Sequence, residues 1–397
     1  MVLMHKFSAD WVFPIHAAPI RNGVVVADNY GKILSVDLPG QHDPASVDHY
    51  RGVLVPGFVN THCHLELSHM LGKVDTGTGL IHFIKGVVTK RQADAAQIAD
   101  AIRRAEAQML ENGIVAVGDI SNTTDTFAVK AKGHLRYYTF VELFDFLQET
   151  GTEKAMQDWT AVLEQAPQTP GSNQNLSPHA PYSVSPELFR RIREYNAGRH
   201  LTISIHNQET PSENALFIDK SGEIPGFYQG FGLGMDHFMP TGKTSIYYAM
   251  QHLNPADKTL FVHNTLTTAE EIAAAHAWSK QVYWATCPNA NLYIENRLPR
   301  YQHFIDAGAR MTVGTDSLTS NWQLSVLEEL KTISRFQSFV PFETLLQWAT
   351  LNGAQALGFD DTLGSFDIGK TPGILLLENV DPDTPALQAN TSVKRLL

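Results

Sequence analysis

From Phe58 onward the chain alternates short apolar runs with longer amphipathic stretches. Eight short runs recur: FVNTH, IVAVGDIS, LRYYTFVELF, NLSPHA, LTISIH, TLFVHN, QVYWAT and RMTVGTD. Most are apolar at consecutive positions, without the alternation of a strand that has one wet face. That pattern fits strands covered by helices on one side and packed inside a barrel on the other. Between them lie helical spacings. Over residues 93–112, Ile98, Ile102, Ala105 and Met109 share one face and Gly113 closes the end. Eight such units predict an α/β fold, a (β/α)₈ TIM barrel spanning residues 57–358. Residues 1–56 read as short strands with turns; GVVVADNYGKILSV holds a hairpin signal at Asp28 to Gly31. After two helical stretches, LSVLEELKTISRF and PFETLLQWATLNGAQALG, residues 359–397 return to β-type sequence in LGSFDIGKTPGILLLENVD. The simplest arrangement joins both chain ends in one small β-sandwich domain beside the barrel.

Composition narrows what such a barrel would act on. At 397 residues with 43% hydrophobic and 18% charged positions and no low-complexity tract, the chain is globular. A formal net charge of -11 without any offsetting Lys/Arg block argues against nucleic acid and favours a small-molecule substrate. Only Cys63 and Cys287 occur, too few for a disulfide framework, which points to a reducing compartment. No apolar run reaches the roughly 18 to 20 residues needed to span a bilayer, and the opening MVLMHKFSADWVF lacks the basic head and apolar core of a signal peptide. The expectation is a cytoplasmic protein without a membrane partner; a homodimer is compatible with it.

Chemistry in such barrels sits at the carboxyl ends of the strands. The first run ends with His62 and His64, the fourth with His179, the fifth with His206, the sixth with His263 and the eighth with Asp316. A lone His-x-His is a weak signal, and a single histidine at a strand end is more often a satisfied polar residue than a ligand. Five histidines at the same ends of successive strands reverse that balance. Residues two apart on a strand share a face, so His62 and His64 can form a bidentate clamp. His206 and Asp316 would complete a nitrogen and oxygen set suited to Zn²⁺ or Fe²⁺ with a position left for water. Glu209, three residues after His206, is a candidate for proton transfer beside activated water. His134, His200, His237, His252, His276 and His303 lack this register and are expected on the surface or in linkers. Cys63, between the clamp residues, is expected to be a packed thiol.

These segments resemble the amidohydrolase superfamily across nearly the whole chain. PGFVNTHCHLELS is similar to its first-strand signature, SPHAPYSVSPEL to its fourth-strand segment and IHNQE to its fifth. VHNTL, CPNANLYI and VGTDSLTSN match its sixth, seventh and eighth. The pattern resembles the deaminase and chlorohydrolase branch, which includes S-adenosylhomocysteine, guanine and 6-aminodeoxyfutalosine deaminases and the triazine hydrolases. The resemblance implies that His62, His64, His206 and Asp316 bind metal, Glu209 shuttles protons, His263 holds the attacking water and His179 touches the substrate. Binuclear members carry a lysine at the end of the fourth strand; His179 stands there, which implies one divalent metal, Zn²⁺ ahead of Fe²⁺. The unrelated zinc deaminases with H-x-E and P-C-x-x-C are excluded, because TCPNANL has no second cysteine. In the tail, GKTPGILLL replaces the Ala-Asp that many relatives carry after Gly-Lys. HLELSHMLGKVDTGTGLIHFIKGV resembles the aminodeoxyfutalosine deaminase-like group, which implies that Glu66 and Ser68 lie near the substrate's ring or sugar.

The implied reaction is hydrolytic release of ammonia from an amino-substituted, purine-like base or nucleoside. The competing readings are a hydrolase of the same site with another leaving group, such as chloride or an alkylamine, or one opening a cyclic amide, and a barrel without catalysis that serves as a scaffold. Four metal-binding side chains at one mouth argue against the scaffold.

Overall fold

A computed structural model describes residues 4–199 and 201–397 of the chain, so His200 lies outside the described residues. All eight apolar runs form strands. They are β1 (Phe58–Cys63), β2 (Ile114–Ser121), β3 (Arg136–Leu143), β4 (Asn173–Pro178), β5 (Thr202–Asn207), β6 (Lys258–His263), β7 (Val282–Thr286) and β8 (Met311–Val313). Every residue of β1, β2 and β5 is buried, which is why these segments lack polar alternation.

β1 to β4 pair in parallel in chain order, and so do β5 to β8. Two seams join the half-sheets into the barrel. At one, the amides of Thr315 and Asp316, just past β8, both donate to the His62 carbonyl at 3.0 Å. At the other, the His206 amide donates to the His179 carbonyl at 2.9 Å, and the Asn175 side chain donates to the Thr202 carbonyl at 2.8 Å. The residues that close the barrel are largely those the sequence put forward as site residues. Gly314 is required at the first seam, since a Cβ there would stand 2.8 Å from the His62 Cβ.

Three helices matter for the site. α1 (Leu80–Lys90) follows the first strand, α2 (Ala95–Glu111) starts where Asp94 caps the Ala96 amide, and α3 (Phe127–Lys130) is a single turn after β2. The helical stretch expected over 341–358 divides at Thr350 into Phe342–Ala349 and Leu351–Leu357. The Thr350 hydroxyl bonds back to the Leu346 carbonyl at 2.7 Å, competing with the helical ladder.

Both chain ends do meet in one β-unit: Asp48–Pro56 pairs in parallel with Met4–Val12 and antiparallel with Ile374–Glu378. Hydrogen bonds join the described strands of this unit into one seven-stranded sheet. Its apolar cluster gathers Phe7, Ala9, Val25, Ile33, Leu54 and Leu376. Phe359 and Leu363 pack instead with Val59, Ala116 and Phe140 of the barrel. Among the described residues no helix is long and apolar enough to cross a membrane.

Of the histidines expected outside the site, His134 and His237 are exposed. His252, His276 and His303 are half-buried instead. His252 stacks on Phe189 with ring centroids 5.6 Å apart, and His276 accepts the Trp284 indole N–H at 3.3 Å.

Candidate active site

His62, His64 and His206 offer ring nitrogens that all lie within 4.8 Å of one another. The Asp316 carboxylate stands 3.7 Å from His62 Nε2 and 3.5 Å from His64 Nε2. His64 Nε2 and His206 Nε2 are 3.3 Å apart. The orientation of His206 is fixed from behind: its Nδ1 lies 2.8 Å from the His179 carbonyl and 3.2 Å from the Glu142 carboxylate. Both partners accept only, so Nδ1 carries a proton and Nε2 is the ring atom that faces His64. His62 is fully buried, and neither of its ring nitrogens has a hydrogen-bond partner among the described residues. An orphaned imidazole facing two more imidazoles and a carboxylate is a donor set that fits a divalent cation such as Zn²⁺ or Fe²⁺.

Backbone strain aims two of these groups. Asp316 and His263 have φ of 55° and 72°, left-handed values that non-glycine residues rarely adopt. The turn after β8 brings the Asp316 carboxylate to His62 and His64 at the adjoining end of β1. Ser320 donates to its Oδ2 at 2.7 Å and leaves Oδ1 toward the imidazoles. His263 places Nδ1 2.8 Å from Asn291 Oδ1 and Nε2 3.7 Å from Glu209 Oε1. It lies outside the trio of clustered imidazoles, with its ring 5.7 Å from that of His62.

Glu209 is buried. Glu213 holds its loop in place by accepting the amides of Gln208 and Glu209 at 2.9 and 3.0 Å. Burial pushes the Glu209 carboxyl well above the ordinary carboxylate range; Asp316 adds to the shift and His206 opposes it. Burial likewise lowers His263 to about 4 and His179 to about 4, so both are neutral imidazoles at neutral pH. His206 differs. Burial works against its protonation, but Glu142 prevails and raises it to about 9. Glu142 itself is held below its ordinary value, burial being outweighed by His179 and His206.

A cavity of about 310 Å³ opens over this cluster, and its lining is mostly apolar. Its floor includes His64, Glu142, His179, His206, Glu209 and Asp316. Its wall comes from α1 and from Phe144, Phe146, Phe227, Tyr228 and Phe231. His179 faces this wall, with Ser183 Oγ 2.6 Å from its Nδ1 and the Phe144 ring at 5.8 Å.

The two remaining expected substrate residues separate. Glu66 lines the cavity. Its Oε2 accepts the amides of Asn122 and Thr123 at 2.9 and 3.0 Å, and Oε1 stands 3.8 Å from Arg91. Burial raises this carboxyl to about 7 against the opposing pull of Arg91. Ser68 does not line the cavity. It sits in a 3₁₀ turn (Leu65–Met70) that directs its hydroxyl back to the Leu65 carbonyl at 2.7 Å. Cys63 is fully buried, as expected of a packed thiol.

Glu142, Glu213 and Asn291 were not anticipated. Glu213 had a readable signal, the Thr210-x-x-Glu213 spacing that starts a helix, here Pro211–Asp219. Glu142 had a weaker one: a carboxylate in an otherwise apolar strand must have a partner.

The model of the Amidohydrolase family matches residues 53–395. An adenosine deaminase of Helicobacter pylori is 26% identical over 314 residues, which cover 78% of this chain and 75% of that protein. The aminofutalosine deaminase of Helicobacter pylori, solved in complex with methylthio-coformycin, superposes with a TM-score of 0.78 at 22% identity, covering 95% of this chain and 93% of that one. An adenosine deaminase of Xanthomonas campestris, solved with bound zinc, gives a TM-score of 0.74 at 23% identity, covering 96% of this chain and 86% of that one. With a family model spanning nearly the whole barrel and the β-unit's C-terminal strands, the chain belongs to the amidohydrolase family.

Proposed function

We propose that this chain is a metal-dependent hydrolytic deaminase that releases ammonia from an adenine-type base or nucleoside. The observation that carries the reading is the Glu209–His263 pair facing the His62, His64, His206 and Asp316 cluster inside one cavity. Hydrolysis of an amino-substituted ring needs a proton donor for the ring nitrogen and a partner for the attacking water, and these residues offer both. Relatives named as adenosine and aminofutalosine deaminases support the substrate class.

A divalent cation held by His62, His64, His206 and Asp316, zinc first and one per chain, would supply water acidic enough to ionise near neutral pH. The zinc of the Xanthomonas campestris deaminase supports this choice. Glu209 holds its proton at neutral pH and would deliver it to the ring nitrogen, lowering electron density where attack occurs. His263, fixed by Asn291, presents Nε2 as an acceptor that aligns the nucleophile. Asp316 would take one proton of the attacking water and return it to the amine as the C–N bond breaks, and the hydroxyl proton left on the adduct would restore Glu209 as the ring carbonyl forms and ammonia leaves. His179 contacts the substrate, and Oε1 of Glu66, 3.8 Å from Arg91, accepts from a ring or sugar hydroxyl. Two buried unpaired thiols, Cys63 and Cys287, support a reducing, cytoplasmic setting.

The test is ammonia release by the purified, metal-analysed protein from adenine, guanine and pterin derivatives, with chloride release from chlorinated rings measured in parallel. Ammonia from an adenine-type compound and about one metal per chain are expected. Chloride release without ammonia would reassign the leaving group, and two metals per chain would overturn the mononuclear site.

A further inference from the structure

Two charged side chains that the mechanism leaves unused are completely buried beside the clamp. Asp119 on β2 is 0% exposed and Lys130 at the end of α3 is 1% exposed, with Nζ 2.6 Å from Asp119 Oδ2. Lys130 also donates to Ser121 Oγ at 2.8 Å and Thr139 Oγ1 at 3.1 Å, and sits over the rings of Tyr137 and Phe127. Burying such a pair carries a desolvation penalty, and apolar residues of similar volume often hold the same space as well or better. Packing alone therefore gives no reason for it.

The other carboxylate oxygen does. Asp119 Oδ1 accepts the backbone N–H of Leu65 at 2.9 Å. Leu65 directly follows His64, where β1 ends and the chain enters the 3₁₀ turn. His64 has φ -114° and ψ 75°, outside both helix and strand, and its side chain forms no capping bond. Asp119 is also the strand partner of Cys63, the residue before His64. The peptide that leaves His64 is thus tied to one carboxylate, and Lys130 fixes where that carboxylate stands.

We infer that Asp119 and Lys130 are positioning residues for the metal clamp. The ion pair sets the carboxylate, the carboxylate sets the His64–Leu65 peptide, and the peptide sets the direction of His64 Nε2. The inference rests on the proposed ligand set and is independent of which leaving group the enzyme releases.

The experiment measures zinc affinity by chelator competition, the visible spectrum of the cobalt(II)-loaded protein, and thermal unfolding of the metal-free protein. Two full-length double variants, D119L/K130M and D119N/K130M, each remove both charges and so leave no unpaired buried ion. D119L/K130M should bind zinc about 10- to 100-fold more weakly and change the cobalt spectrum. D119N/K130M, which keeps an acceptor for the Leu65 amide, should lose about threefold to tenfold. A merely structural pair would shift the unfolding temperature and leave both metal readouts alone. Either folded variant with wild-type zinc affinity and cobalt spectrum overturns the inference. Failure of the wild type to bind zinc would overturn the ligand set and the inference with it.

Discussion

The floor and the wall of the cavity are built on different principles. Four groups at the floor are fixed by named polar partners: His206 by the His179 carbonyl, His263 by Asn291, Asp316 by Ser320, and the Glu209 loop by Glu213. The wall is held by ring contacts, Phe144 to Phe146 at 5.0 Å, Phe146 to Tyr228 at 5.8 Å and Phe227 to Phe231 at 5.0 Å. Phe231 is 54% exposed at the mouth. Hydrogen bonds specify direction, which chemistry needs; apolar contacts specify volume and tolerate exchange. The floor therefore sets the reaction and the wall sets which molecule undergoes it.

The comparison breaks most visibly if floor residues prove interchangeable. His206→Ala should lose the metal and with it all measurable turnover, since it removes one nitrogen of a four-membered set. His263→Ala should keep close to full metal content while turnover falls about 10²-fold or more, the loss expected when a preorganised partner of the nucleophile is removed. Metal content and ammonia release on both proteins separate the roles. Loss of metal from the His263 variant would place that imidazole among the ligands.

Glu209→Gln comes next. The amide keeps the shape and cannot transfer a proton, so turnover should fall roughly 10²- to 10⁴-fold with fold and metal retained. Near-normal turnover would move the proton donor elsewhere, and Glu66, raised to about 7 and lining the same cavity, would be the carboxyl to examine.

How far the sequence foretold each region follows from the same contrast. Strands covered on both faces leave unbroken apolar runs, and polar residues at their ends are conspicuous against that background; His62, His64, His206, His263 and Asp316 all stand out in this way. Glu142 and Asp119 lie one or two residues inside the ends of β3 and β2, where a single carboxylate reads as strand interior. The wall was not legible. Phe144 and Phe227 are 83 positions apart and each reads as an ordinary core aromatic. Their meeting is a consequence of closure.

A milder effect should appear on titration. Glu142 raises His206 to about 9 in the metal-free protein, above the ordinary imidazole value of about 6.5. A raised folded-state pKa contributes stability that is complete below about 6.5 and is lost as pH rises through about 9. A cation must displace that proton, so zinc affinity should climb by about tenfold per pH unit until about pH 9 and then level. Glu142→Gln should flatten the climb. Affinity that does not vary from pH 7 to 9 in the wild type would remove His206 from the ligand set.

The smallest effect is expected at Ser68, and it sharpens the line between what merely lies near the site in sequence and what belongs to its surface. Four residues after His64, Ser68 falls where a continuing strand would bring a hydroxyl to the cavity. The chain instead turns, and that hydroxyl closes on the Leu65 carbonyl at 2.7 Å, in the same turn that Asp119 holds from the other side. Ser68→Ala removes one buried hydrogen bond and leaves a carbonyl acceptor short of a partner, which costs stability by about 1 kcal/mol. KM and kcat for any deaminated substrate should stay within about twofold, because neither the floor groups nor the wall surface changes. A KM raised about tenfold with an unchanged unfolding temperature would mean that Ser68 turns outward to meet the substrate, and that the turn after β1 is part of the recognition surface as well as the anchor of the clamp.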